Sequence, residues 1–89
     1  MVKITQLATE HLLRLRDERG KDGQSPRFVA SRSRLRLTFA QRPEPADQVV
    51  EQDGLAVYVA ADVAPSLERK VIDARVEGGK SHLVLRRLT

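Results

Sequence analysis

The 89 residues contain no cysteine and only two histidines, His11 and His82. Iron–sulfur clusters and soft metal ions are normally held by several thiolates, so this sequence offers no sulfur ligand for either. A redox dithiol and a cysteine nucleophile are excluded for the same reason. We therefore predict that the chain has no cofactor of these classes.

Aromatic residues and long hydrophobic runs are also scarce. Two phenylalanines, one tyrosine and no tryptophan leave few rings that could stack on nucleic-acid bases. The longest largely apolar run, Leu55–Ala61, is far shorter than the roughly 20 residues of a membrane helix. No apolar stretch follows the N-terminal residues, so the pattern predicts neither a signal peptide nor contact with a membrane. Because no disulfide is available, a cytoplasmic protein is expected.

Basic residues outnumber acidic ones. Sixteen lysines and arginines against twelve aspartates and glutamates give a formal charge of +4, and all but four of the bases are arginine. Arginine stays charged at any working pH and binds phosphate or carboxylate through two hydrogen bonds. A charge of +4 is ordinary for a small soluble domain, so it permits nucleic-acid binding without indicating it.

The N-terminal segment is typical of an amphipathic helix. Ala8, Leu12 and Leu15 fall on one stripe of a helix predicted over Thr5–Arg19. Gly20 follows at the position where a left-handed cap residue is expected.

Beyond this helix the hydrophobic period changes to that of strands. A short strand is predicted over Arg27–Ala30, and the alternation in Arg34–Phe39 places Leu35, Leu37 and Phe39 on a buried face. The prolines in the segment from Gln41 to Asp47 indicate a connection.

A tight hairpin and a short helix follow. Asp53-Gly54 is a favoured two-residue turn between the strands Val49–Gln52 and Leu55–Val59, and Asp62 is predicted to cap a helix that runs through Leu67. The closing hairpin consists of Val71–Val76, a turn at Gly78-Gly79 and His82–Leu88. The pattern predicts one α+β domain over residues 1–89, with mostly antiparallel mixed sheets, an N-terminal helix and a short second helix.

One stretch of the sequence is similar to a known family. The block from Glu44 to Val59, with its acidic proline-containing connection, strand, Asp-Gly turn and β-branched strand, resembles the HesB/IscA-like family of A-type iron–sulfur cluster carriers. Ala8–Leu12 resembles the start of that family's first helix, and Leu67–Asp73 resembles its short helix and next strand. The resemblance implies small mixed sheets flanked by two helices, often assembled into dimers or tetramers.

The family's cluster ligands have no counterpart here. The carriers place one cysteine in a glycine-rich loop between their second and third strands, where this sequence has Ser31-Arg32-Ser33-Arg34. They place a Cys-x-Cys motif beyond the last strand, whereas these residues reach Thr89 without one. We therefore expect a HesB/IscA-like protein that has lost cluster ligation and binds a protein partner or forms a homo-oligomer, in an accessory or regulatory role linked to iron–sulfur cluster biosynthesis.

No catalytic constellation is recognisable. A metal site built on histidine needs a third ligand near both imidazoles, and no spacing pattern joins His11 to His82. The serines lie in predicted loops, turns and helix starts, and none occupies a nucleophile elbow. The sequence therefore predicts that the protein is not an enzyme.

A group of arginines is the one unusual feature. Arg34 and Arg36 share a face of their strand, and Arg32 joins them if the strand extends that far, which would space the three side chains about 7 Å apart. Such a row suits an anion site or the docking surface of an acidic partner. It is equally typical of a solvated strand in an arginine-rich protein, or of arginines paired with glutamates. Arg27, and the bases of the last strand if that strand pairs beside this one, could extend the group: Lys80, Arg86 and Arg87.

Two functional hypotheses follow. The first is the protein-binding HesB/IscA-like module without a cluster. The alternative is a small nucleic-acid or polyanion binder that uses Arg32, Arg34 and Arg36, and it predicts binding that weakens steeply as salt is added.

Overall fold

Two helices and seven strands form in the part of the chain that the computed structural model describes, residues 2–32 and 34–87. The helices are α1 (Gln6–Arg19) and α2 (Ala64–Leu67). The strands are β1 (Lys3–Ile4), β2 (Ser25–Ser31), β3 (Arg34–Ala40), β4 (Gln48–Gln52), β5 (Leu55–Val59), β6 (Lys70–Glu77) and β7 (Lys80–Arg87).

The strands form two sheets of mixed direction. One has three strands in the order β1-β6-β7, and the other has four in the order β3-β2-β5-β4. The β1–β6 and β2–β5 pairs are parallel, and the remaining pairs are antiparallel hairpins. This arrangement confirms the predicted α+β class with mostly antiparallel mixed sheets and two helices.

Helix α1 begins one residue later than its sequence pattern suggests, because Thr5 is its N-cap. The Thr5 hydroxyl accepts a hydrogen bond from the Ala8 amide at 3.1 Å, which satisfies one of the free amides of the first turn. At the other end of the helix, the prediction that Gly20 has a left-handed conformation is wrong, because its backbone is extended with φ −79°. Glycine is needed there for space: a Cβ would lie 2.8 Å from the Arg16 carbonyl oxygen and 3.3 Å from the Phe39 ring.

The β4–β5 hairpin follows its local sequence closely. Asp53 and Gly54 both have positive φ, at 50° and 80°, as a type I′ turn requires. The turn sets a register in which Leu55, Val57 and Val59 are each at most 1% exposed. These side chains form the centre of the core with residues of α1, β2, α2 and β6: Ala8, Leu12, Phe28, Leu67 and Ile72.

Two local expectations are corrected by the tertiary structure. Leu35 is 37% exposed, and Leu37 and Phe39 are only half-buried, because β3 is an edge strand that the core covers on part of its length. Asp62 does not cap α2; Val63 stands at the N-cap without a side-chain hydrogen bond. The Ala60 carbonyl instead accepts from the amides of Val63 and Ala64.

No helix in residues 2–32 and 34–87 is long and apolar enough to cross a membrane.

Candidate anion- and partner-binding surface

The three predicted site arginines lie at one end of the β2–β3 hairpin. Arg34 and Arg36 belong to β3, two residues apart and therefore on the same face of the strand. Arg32 does not extend the row, since its φ of 51° places it in the turn rather than in the strand. All three side chains are exposed, and we refer to them together as the arginine patch.

The arginine patch forms no ion pair with the acidic side chains of the described residues. Within residues 2–32 and 34–87, no carboxylate lies within 4.0 Å of Arg32, Arg34 or Arg36. The alternative in which these arginines are paired with glutamates is therefore not observed in the described part of the chain. Three guanidinium groups without a carboxylate partner in the described part of the chain give this end of the hairpin a positive charge.

Arg27, which the sequence grouped with these arginines, has a different role. It faces Asp47 in a bidentate pair, with Nε and one terminal nitrogen each donating to a carboxylate oxygen at 2.8 Å. The Asp47 side chain is only 2% exposed, and its second support is the Glu44 amide, which donates at 3.0 Å. The hydrogen bonds from Arg27 hold the pKa of Asp47 below its ordinary value. Arg27 therefore anchors the β3–β4 connection and is not available to a ligand.

The last strand does not extend the patch either. Strand β7 pairs with β6 in the three-stranded sheet, so Lys80, Arg86 and Arg87 are not joined to β3 by sheet pairing. Arg86 donates from Nε to Asp73 at 2.7 Å. The pKa of Asp73 is lowered, first by the hydrogen bond from the Thr5 hydroxyl and then by the Ala74 amide.

An apolar groove lies beside the arginine patch, between the free edges of the two sheets. Leu35 of β3 and Leu85 of β7 line both of two adjoining cavities, with volumes of about 320 and 280 Å³. Arg34 and Lys70 contribute to the wall of the larger cavity. Sequence reasoning missed this groove, because the two leucines are 50 positions apart and line the same space only through the packing of the two sheets.

Among the residues that the structure describes, the histidines do not form a metal site with other side chains. His11 is half-buried on α1, and its pKa is lowered first by burial and then by the nearby Arg14. His82 makes a smaller contribution to the same lowering. No group of three or more histidine, aspartate and glutamate side chains able to hold a metal ion occurs in residues 2–32 and 34–87.

The aromatic side chains are buried or half-buried and offer little surface for stacking on bases. Phe28 is 2% exposed and Tyr58 is 8% exposed, and the Phe39 ring lies close to Gly20 at the end of α1. These are all the aromatic residues of the chain. The nucleic-acid alternative therefore depends on the arginine patch alone.

Comparison with known proteins places this fold. No protein-family model matches the chain. Iron-sulfur assembly protein 1 of Schizosaccharomyces pombe is 25% identical over 89 residues, which cover 94% of this chain and 47% of the yeast protein. The chain thus spans about half the length of this curated relative.

Solved structures match over nearly the whole chain. A crystal structure of IscA with the [2Fe-2S] cluster has a TM-score of 0.75 and 21% identity, covering 98% of this chain and 85% of its own. Escherichia coli SufA, described as involved in biosynthesis of iron–sulfur clusters, has a TM-score of 0.79 and 20% identity, covering 96% and 83%. A solution structure of an Aquifex aeolicus protein has a TM-score of 0.71 and 21% identity, covering 97% and 90%.

These similarities agree with the sequence block of residues 44–59 that carries the family resemblance. The strand order, the two helices and the hairpin register provide the IscA-like fold, and the loop between β2 and β3 has arginine and serine but no cysteine. This polypeptide therefore has an IscA-like fold and is similar in sequence to an iron–sulfur assembly protein, and its 89 residues contain no cysteine.

Proposed function

We propose that this chain is a non-enzymatic accessory protein of iron–sulfur cluster biosynthesis, acting in the cytoplasm, that binds another protein and does not hold a cluster with its own side chains. The observation that carries the proposal is the retention of an IscA-like fold in a sequence without cysteine. The yeast relative is named for iron–sulfur assembly, and the IscA structure contains a [2Fe-2S] cluster. The present chain has the fold of these proteins but lacks the thiolate groups that would bind a cluster.

Other donors do not replace the missing thiolates in the described residues. No group of three or more histidine, aspartate and glutamate side chains that could hold a metal ion forms in residues 2–32 and 34–87. A single chain binds a metal or cluster firmly only when a complete donor set surrounds it. These facts support a role in which the fold contacts a partner and the cluster chemistry belongs elsewhere.

The arginine patch supports an acidic protein as that partner. Arg32, Arg34 and Arg36 are exposed and lack acidic neighbours within 4.0 Å in residues 2–32 and 34–87. Exposed charges of one sign steer an oppositely charged protein toward the surface and set its orientation. Nucleic acid receives less support, since the three aromatic rings are buried or half-buried.

Anaerobic reconstitution with iron and sulfide tests the loss of cluster ligation. After desalting, we expect this chain to show no visible absorption, whereas IscA treated in parallel should retain its cluster and its colour. A stable brown protein formed by this chain alone would contradict the proposal.

A pull-down from the native cell, analysed by mass spectrometry, tests the partner. A variant with R32S, R34S and R36S should lose an acidic partner that the unmodified protein captures, while its thermal unfolding is unchanged because the three side chains are exposed. The matched control is R42S, at another exposed arginine beyond the far end of β3. A labelled single-stranded oligonucleotide that binds at about 50 mM salt, with affinity falling linearly on a log–log plot, would favour the nucleic-acid alternative instead.

A further inference from the structure

We infer that the groove between β3 and β7 binds an extended segment of the partner in which acidic and apolar residues alternate, and that this segment adds as a strand to the free edge of β3. The inference rests on the partner-binding function proposed above and specifies the partner's recognition element. It concerns Leu35, Leu85, Arg34, Arg36 and Lys70.

Each sheet leaves one edge open toward this groove. Strand β3 ends the order of the four-stranded sheet, and β7 ends that of the three-stranded sheet. The first half of β3, Arg34–Arg36, is exposed, whereas the second half is half-buried. An exposed edge presents backbone amides and carbonyls that an incoming strand can pair with.

Apolar surface remains uncovered beside that edge. Leu35 is 37% exposed and Leu85 is 40% exposed, and the two side chains line adjoining cavities of about 320 and 280 Å³. The floor includes the buried Phe28 and Ile72. A partner side chain that enters this groove would remove from water both its own surface and that of the two leucines.

The sequence of β3 defines the complementary pattern. Arginine and leucine alternate in Arg34-Leu35-Arg36-Leu37, so the leucines share the face that lines the groove and the arginines share the other face. Arg34 also reaches the wall of the larger cavity. A neighbouring strand has the same alternation of faces, and opposite charges placed across a strand pair are favourable. A segment of alternating acidic and apolar residues therefore matches β3 on both faces. Lys70 adds a second cation at the larger cavity, where Asp62 is the one acidic lining residue among those described.

The same pattern disfavours a second copy of this chain at the edge. Two β3 strands related by a two-fold axis would pair the same residues with each other. Antiparallel pairing centred on Leu35 would place Arg34 of each copy opposite Arg36 of the other. Like charges directly opposite each other destabilise a strand pair, so the edge favours an acidic partner over self-association.

The inference can be tested with a fluorescein-labelled peptide of alternating glutamate and valine, measured by fluorescence anisotropy with the intact 89-residue protein. The control peptides replace glutamate by lysine, or keep the composition with the glutamates and valines in separate blocks. L35S and L85S should each weaken binding of the alternating peptide about tenfold, as expected for apolar residues at the centre of an interface. V76S is the matched control, because Val76 is 59% exposed but lies outside the groove.

Binding of the alternating peptide alone, weakened by L35S and L85S and unchanged by V76S, would support the inference. Peptide binding that is unaffected by L35S and L85S would overturn it while leaving the arginine patch as a docking surface. No binding at millimolar peptide concentration would also overturn the inference. The proposed function would still be tested independently by the cluster reconstitution and the pull-down. Dimerisation of the unmodified protein that L35S abolishes would show a second copy in the groove and contradict the inference.

Discussion

Arg27 and Asp47 form a bidentate ion pair that joins β2 to the connection between β3 and β4. Two nitrogen–oxygen distances of 2.8 Å define it, and the Asp47 side chain is 2% exposed while that of Arg27 is 20% exposed. Glu44 supplies a backbone amide to the same carboxylate at 3.0 Å. The pair therefore fixes the path of a proline-containing loop that has no regular hydrogen-bonding pattern of its own.

Removing the charge of Asp47 should destabilise the protein strongly. D47N leaves Arg27 partly buried without its counter-ion, and we expect the free energy of unfolding to fall by about 2–3 kcal/mol. Urea denaturation at neutral pH measures the change. R86Q is the matched control; the Arg86 side chain is 57% exposed at its pair with Asp73, so its loss should cost less than about 1 kcal/mol. Equal effects of D47N and R86Q would contradict this interpretation.

Acid should destabilise the protein through the same carboxylates. The pKa values of Asp47 and Asp73 are both held below the ordinary value of 3.8, in each case first by a side-chain hydrogen bond. Near pH 4 the unfolded chain therefore binds more protons than the folded chain, so this contribution to stability is present above about pH 4 and is lost as the pH falls through the folded-state pKa values. Urea midpoints measured from about pH 7 down to about pH 3 should show this decrease, and D47N should show a shallower one. A parallel pH dependence for D47N and the unmodified protein would exclude Asp47 as a source.

Thr5 should couple the start of α1 to β6. Its hydroxyl accepts from the Ala8 amide at 3.1 Å and donates to Asp73 at 2.7 Å. T5A removes the helix cap and this cross-link together, and we expect a loss of about 1–2 kcal/mol in the free energy of unfolding. T5S keeps the hydroxyl and should stay within about 0.5 kcal/mol of the unmodified protein. The prediction fails if T5S and T5A are equally destabilised in urea denaturation followed by circular dichroism.

Gly20 should resist replacement because of space. In G20A the added methyl group would meet the Arg16 carbonyl at 2.8 Å and the Phe39 ring at 3.3 Å, and we expect a cost of about 1–3 kcal/mol from overpacking. G23N provides the contrast: Gly23 has φ +80° with open space around its Cβ position, and asparagine tolerates that backbone conformation better than other residues. Thermal unfolding of both variants measures the difference. A G20A protein as stable as the unmodified one would show that the end of α1 shifts to admit the methyl group.

Elements whose cause lies within a few residues were predictable from the sequence. Three features depend only on neighbouring residues and are present in the structure as predicted. They are the helix α1, the Asp53-Gly54 turn and the strand β5. Gly20 was misinterpreted because a left-handed cap and a close approach to Phe39 both require glycine, and only the position of Phe39 distinguishes them. Asp62 was misinterpreted because a capping residue competes with backbone carbonyls, and here the Ala60 carbonyl accepts the amides of Val63 and Ala64.

The candidate site was predictable only in part. Arg34 and Arg36 share a face because of the strand period, but the turn at Arg32 depends on where the β2–β3 hairpin closes. Arg27 has the same side chain as its neighbours, and its role follows from Asp47, 20 positions away, which no local pattern connects to it.

Composition alone determined that these residues contain no sulfur ligand, since the presence or absence of cysteine does not depend on folding. From α1 onward the sequence also determined the order of helices and strands, because hydrophobic period and turn chemistry are short-range properties. The two-residue strand β1 was not predicted, since it forms only by pairing with the distant β6. Only the tertiary structure decided that Arg27 is paired with Asp47 and that Leu35 and Leu85 line the same groove. Both outcomes depend on how two sheets pack, and that packing is set by contacts between residues far apart in the chain.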